Sequence, residues 1–232
     1  MAQIKQNNLD HIHFENVSFH NEGSDPVLVH VDLELPMDQT VIVQSSNPTH
    51  SVQLLEILAG RKEPQSGRVK WTDEGSFSEN EITVPVHEVV ACYFESHRPS
   101  PELKVEDLLK SGGASKEIVK EAISHFDLNR KSSRKFKDLS YELQKLLLLV
   151  LPTLKNPQML ILEDPAVGLS EAVFLNYLDW IQRWQRQGHL RHIYMTNNHP
   201  VAARHLDANV MYVEDGLIYL SEDQALKKIV HF

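Results

Sequence analysis

One stretch constrains this chain more than any other. Thr40-Val41-Ile42-Val43 is short, rich in β-branched residues and apolar in its interior, the pattern of a buried strand. A polar stretch comes next, Gln44 to His50. Then Ser51 to Ala59 carries Val52, Leu55, Leu58 and Ala59 at helical spacing, and Gly60 ends it. Strand, polar loop and helix in that order set free helix N–H groups at a strand end, the layout of a phosphate-binding loop.

The flanking sequence gives this unit neighbours. Val29, Val31, Leu33 and Leu35 alternate with His30, Asp32 and Glu34, a half-buried strand, and Ile12 to Phe19 reads similarly. His11 and His13 share a face there, but two histidines alone are too few to predict a metal site, and none is expected. Residues Asp73 to Glu81 read as an acidic loop. Val89 to Phe94, Met159 to Leu162, Ile193 to Met195 and Val210 to Val213 read as further strands. Helices are expected at Val105 to Leu109, Lys116 to Phe126, Leu143 to Leu154 and Glu171 to Gln187, with a turn at Ser111-Gly112-Gly113. The third of these is apolar almost all round and must be buried. Strands alternating with helices predict an α/β fold with a mostly parallel sheet, and the antiparallel start predicts an added β lobe.

Composition limits the function classes. With 232 residues, 41% hydrophobic, the chain can bury a sizeable core. Its longest apolar run, Leu146 to Leu151, is far short of the roughly 18 residues that cross a bilayer. Met1 to Asp10 is polar and lacks the apolar segment of a signal peptide. The single cysteine, Cys92, precludes an internal disulfide and is expected to be a buried, inert thiol. These features fit the cytoplasm. A net charge of -9 disfavours nucleic acid as a partner and makes any polyphosphate ligand depend on local positive charge. Arg130 to Lys137, with five basic residues in eight, reads as a solvated linker rather than a lipid or RNA contact.

From Ile12 to about Leu220, the order of elements and a set of short motifs resemble the ATP-binding cassette (ABC) family. Leu58-Ala59-Gly60, Pro64 and Ser66-Gly67 match the stretch after that family's Walker A helix. Leu139-Ser140 opens its signature motif, and Leu160-Ile161-Leu162-Glu163-Asp164-Pro165 falls at Walker B without a gap. Gly168-Leu169 matches the D-loop, Thr196 the start of the H-loop, and Glu214-Asp215-Gly216 the hairpin beyond. The resemblance implies a P-loop NTPase-like core with a β lobe (1–94 and 155–232) and a small helical lobe at about 95–154. It also implies a dimer, homomeric or heteromeric, and an integral membrane permease-type partner received by the region Glu95 to Leu109. Such a subunit would lie at the inner face of the membrane.

The family's chemistry does not carry over with its order. At the Walker A positions that normally supply two glycines, a lysine and a magnesium-binding hydroxyl stand Ser45, His50, Ser51 and Val52. Pro48 removes a further N–H donor, and Gln53 with Ser51 offers only neutral polar contact. Losing the lysine's charge-assisted bond, worth about 1.5–3 kcal/mol, costs on the order of ten- to a hundredfold in affinity. The signature reads Leu139-Ser140-Tyr141-Glu142-Leu143, where a carboxylate stands in the first helical turn. Walker B is inverted to Glu163-Asp164, and a displacement near 1 Å can cost about a hundredfold in rate. Glu95 stands for the Q-loop glutamine, Asn197 for the H-loop histidine and Ser170 for the D-loop aspartate, while His20 or Asn21 falls where an aromatic would stack on adenine. The expectation is a degenerate, pseudo-ATPase-like cassette subunit without catalytic residues or cofactor, structural or regulatory in a membrane transport or envelope complex. Two alternatives stand beside it. One is a divergent ATPase using Mg-ATP, possibly the degenerate half of an asymmetric pair. The other is a soluble adaptor contacting partners through Arg130 to Lys137.

Overall fold

The computed structural model describes residues 9–21, 23, 25–35, 37–73, 84–196, 200–222 and 225–228. Most of the acidic stretch Asp73 to Glu81 and the H-loop position Asn197 lie outside them.

A three-stranded antiparallel sheet, order β2-β1-β4, opens the chain; β1 is His11–His20, β2 Pro26–Glu34 and β4 Ser66–Thr72. The main sheet has seven strands in the order β10-β9-β8-β3-β7-β6-β5. Five run parallel: β8 (Asn209–Glu214), β3 (Thr40–Gln44), β7 (His192–Thr196), β6 (Met159–Leu162) and β5 (Val90–Tyr93). β9 (Leu217–Glu222) and β10 (Ala225–Lys228) extend the sheet antiparallel. This is the α/β, mostly parallel sheet with an antiparallel lobe that the sequence predicts.

Strand periodicity sorts the core into two layers. Val41, Val43, Met159, Ile161 and Tyr194 point to the face shared with the small sheet and α1 (Pro48–Leu58). Ile42, Leu160, Leu162, Ile193 and Met195 point to the opposite face. There they meet α5 (Tyr141–Thr153) and α6 (Glu171–Arg186), with α3 (Val105–Ser111) and α4 (Lys116–His125) packed outside. Two short helices complete the set, α2 (Val86–Val89) before β5 and α7 (Pro200–His205) after β7. No described helix is long and apolar enough to cross a membrane.

Two expectations need correction, and a third is sharpened. The alternation in β2 breaks at His30, whose φ of 48° marks an irregular register; Val27 and Leu28 are buried and Val29 turns outward, against the hairpin at Gly216. Cys92 is exposed, because β5 is the edge strand of the large sheet, although its surroundings push the thiol pKa up. The segment Arg130 to Lys137 is largely exposed, as a solvated linker is, but it is tied to its surroundings. Phe136 is buried, Lys135 and Lys137 both pair with Glu102, and Glu106 and Val105 donate backbone bonds to Ser132 and Arg134.

Candidate functional site

The C-terminal ends of β3, β6 and β7 lie side by side, since β7 runs between the other two. The loop after β3 and the acids after β6 therefore share one rim of the sheet, where ligands of open parallel sheets bind.

The loop after β3 is shorter than the Gln44 to His50 stretch that the sequence suggests. Helix α1 starts at Pro48, so only Ser45, Ser46 and Asn47 join strand to helix. The reason is local. Pro48 has the φ of a first helical residue and no N–H to satisfy there. Asn47 is the N-cap, and its side chain accepts the Thr49 N–H at 3.1 Å, while its carbonyl accepts from the His50 N–H at 2.9 Å. Glu214, at the end of β8, takes the Ser46 backbone N–H and, at 2.6 Å, the Ser46 hydroxyl. A carboxylate of the chain itself thus occupies loop donors. His50, Ser51 and Gln53 are buried, and Val52 packs in the core beneath. None of the residues from Ser45 to Gln53 is lysine or arginine.

The acids after β6 have a different surrounding. Glu163 accepts the Glu95 N–H at 2.7 Å, and Asp164, in a left-handed turn with φ 39°, exchanges bonds with Thr196 at 2.9 and 3.3 Å. Burial holds both carboxyls above the ordinary carboxylate range; the Glu95 carboxylate adds to it at both, and Asp164 adds to it at Glu163. A residue that the motif comparison does not single out closes this cluster. Lys145, from the second turn of α5, is 3% exposed. Its ammonium pairs with Glu95, donates to the Tyr93 hydroxyl at 3.0 Å and to the Asp164 carbonyl at 3.1 Å, and lies 4.4 Å from the Tyr93 ring centre. Burial lowers the Lys145 pKa and the Glu95 carboxylate opposes that shift. Desolvation also raises the Tyr93 phenol above its usual range.

The signature-like segment closes on the chain itself. Ser140 caps α5, accepting from the Leu143 N–H at 3.4 Å, and Leu139 is buried behind it. Glu142 accepts both the Ser170 N–H, at 2.7 Å, and the Ser170 hydroxyl, at 2.6 Å, and these bonds hold its carboxyl below the usual range. Tyr141 is 62% exposed, yet its ring lies flush on Gly168: a Cβ there would sit 2.4 Å from Tyr141 Cε1. The two remnants, at 139–143 and 168–170, are therefore joined to each other. His20 is exposed at the end of β1, its N–H given to Gln65.

Behind the edge strand runs a groove of roughly 620 Å³. Cys92, His97, Leu148 and Leu151 line it, together with Arg61, Arg98 and Lys155. Arg61 lies over the Phe94 ring at 4.4 Å, and Arg98 donates to the carbonyls of Glu95 and His97. No ion-pair partner stands opposite these three cations among the described residues. Of the region Glu95 to Leu109, the stretch Ser96 to Arg98 reaches this groove.

Comparison with known proteins places this rim in a family. An ATP-binding protein of an ABC transporter from Bacillus cereus (strain ATCC 10987 / NRS 248) is 24% identical over 216 residues, 90% of this chain and 38% of that protein. The Fe(3+) ions import ATP-binding protein FbpC of Escherichia coli O157:H7 is 23% identical over 184 residues, 76% of this chain and 52% of that protein. The chain thus spans about half or less of the length of these relatives. The crystal structure of the ADP conformation of an ATP-binding cassette of an ABC transporter superposes with a TM-score of 0.72. It covers 94% of this chain and 92% of its own at 16% identity, a likeness of fold. The family profile described as ABC transporter matches residues 28–167, more than half of the sequence. The chain belongs to the ABC transporter family.

Proposed function

We propose that this chain is a degenerate cassette subunit that neither binds nor hydrolyses ATP, and that it acts as a structural or regulatory component of a membrane transport or envelope complex. The observation that carries this reading is the loop after β3. It has three residues between strand and helix and no basic side chain; Glu214 takes both Ser46 donors, and Asn47 takes the first N–H groups of the helix. Those residues do not fit a magnesium-bound polyphosphate. Glu214 presents negative charge where the ligand would bring its own, which is repulsive at short range. Lys145 already neutralises Glu95 beside the Walker B acids.

The partner is an integral membrane permease-type subunit seated through Glu95 to Leu109, in the groove beside β5. Apolar walls and three cations, on a chain of net charge -9, favour an amphipathic segment carrying carboxylates. Domain limits are those of the family: core and β lobe at 1–94 and 155–232, helical lobe at about 95–154. The subunit pairs with a copy of itself or another cassette at the cytoplasmic face of the membrane.

A second reading has its own observation. Glu163 and Asp164 remain adjacent at the end of β6, and a carboxyl held above its usual range suits the base of a divergent ATPase, alone or in an asymmetric pair. Calorimetric titration of the full chain with Mg-ATP separates the two. The proposal expects no saturable heat up to millimolar nucleotide; micromolar affinity establishes the second reading instead.

A further inference from the structure

We infer that His11, His13 and Glu34 form a binding site for a first-row transition-metal ion, zinc-like in its preferences, on the outer face of the small sheet. His11 and His13 stand two apart in β1, so both side chains lie on the face opposite Ile12 and Phe14, which are buried in the core. Their rings stack with centres 5.5 Å apart and planes within 21°. Two histidines from sequence are too few; the strand register supplies the third group. Glu34 of β2 lies directly opposite His13, and its carboxylate reaches His11 Nδ1 at 2.7 Å. One ligand atom from each residue lies within 4.8 Å of the other two.

The chemistry fits a borderline metal. Tetrahedral zinc with bonds of about 2.0–2.1 Å needs ligand atoms roughly 3.3 Å apart, so the three groups must draw together around an ion, a movement of the size that side-chain torsions supply. His11 is 21% exposed and Glu34 55%, which leaves the outer positions of the ion to water. Two imidazoles and one carboxylate suit Zn²⁺, Ni²⁺, Co²⁺ or Cu²⁺, whereas Mg²⁺ and Ca²⁺ demand a larger set of oxygens. The neighbouring cations are already neutralised. Lys70, opposite His13 on β4, gives its ammonium to Glu15 at 2.6 Å, and Arg68 does the same. Arg191, in the cleft bordered by His11 and Glu34, pairs with Asp10 and Asp38. An ion here would clip β1 to β2.

Titration of the full chain with zinc chloride and nickel chloride near neutral pH tests this. The wild type is expected to bind one ion at this site, with a thermal midpoint that rises with metal concentration. His13→Asn is expected to weaken binding at least about tenfold, and the pair His11→Asn, His13→Asn to remove that equivalent. Cys92→Ser, which deletes the lone thiol, is expected to keep it. In the unaltered chain, substoichiometric Ni²⁺ is expected to broaden the amide signals of residues 11–13 and 34 before any others. Retention of the equivalent in the double variant, broadening that begins elsewhere, or no saturable binding below about 1 mM overturns the proposal.

Discussion

The loop after β3 and the acid cluster after β6 lie on one rim of one sheet, yet the chain treats them in opposite ways. The loop is exposed, and its polar groups are satisfied by short local bonds: Asn47 caps the helix and Glu214 holds Ser46. The acid cluster is half-buried, and there a full positive charge, the buried Lys145, has been drawn in from α5. The difference teaches what burial demands. Exposed donors that serve no anion cost little, because water or a nearby side chain replaces it. Buried carboxylates left without a cation cost several kcal/mol. The cluster's charges are thus settled by a cation from within the chain, and the loop's polar groups by local bonds.

The comparison breaks first at Lys145. Lys145→Met removes the cation and leaves Glu95 facing Glu163 and Asp164. The expected loss is about 3 kcal/mol in urea unfolding, at the low end for a broken buried pair because the Glu95 side chain keeps 34% exposure. Adding Glu95→Gln is expected to recover part of that loss. A change below about 0.5 kcal/mol in the single variant would place the cluster with the surface loop.

The acids themselves give the next effect, a dependence on pH. The folded-state pKa values of Glu163 and Asp164 are raised, so the folded chain holds more protons than the unfolded one across the carboxylate range. Their contribution to stability is full below the unfolded pKa and is lost as pH rises through the folded value. His192 runs the other way. Buried and lowered to about 4, it costs stability as pH falls from about 6.5 toward 4. Wild type minus Glu163→Gln isolates the first term. That difference is expected to shift against the wild type as pH rises through the carboxylate range; a flat difference contradicts the burial of Glu163.

Closer to the surface, Glu142→Ala removes two short bonds to Ser170, and the expected cost is about 1 kcal/mol. Exchange of the Ser170 amide with solvent deuterium is expected to quicken in the same variant. Unchanged exchange would mean that the tie between residues 139–143 and 168–170 is not made in solution.

Much of this architecture is legible in the sequence, for reasons that particular residues make plain. Val41, Ile161 and Ile193 sit in short apolar runs that only a sheet covered on both faces can bury. Gly168 and Leu139-Ser140 keep the order of family motifs visible. Lys145 escapes the motif reading, although it carries a signal: a lone lysine inside the apolar run from Leu143 to Leu154 must find a buried carboxylate or leave the core. The turn at His30 and the exposure of Cys92 leave no such mark. The first depends on strand register and the second on β5 being an edge, and neither is encoded within a few residues of sequence.

The smallest effect is expected where the comparison is sharpest. If the loop lacks only charge, a cation placed on its exposed side should restore a response to nucleotide. Thr49 is exposed in the first turn of α1, so Thr49→Lys supplies that charge without entering the core, at a helix-dipole cost of about 0.3–1 kcal/mol. Glu214→Gln removes the competing carboxylate from Ser46. With both changes the loop still has three residues, a proline without an N–H, and an Asn47 cap that keeps the Thr49 amide. On the proposed reading this loop is too short to wrap a chain of phosphates, so Mg-ATP is expected to give no saturable heat with the double variant. Measurable binding would show that charge, and not the loop's length, decides whether this loop holds a phosphate chain.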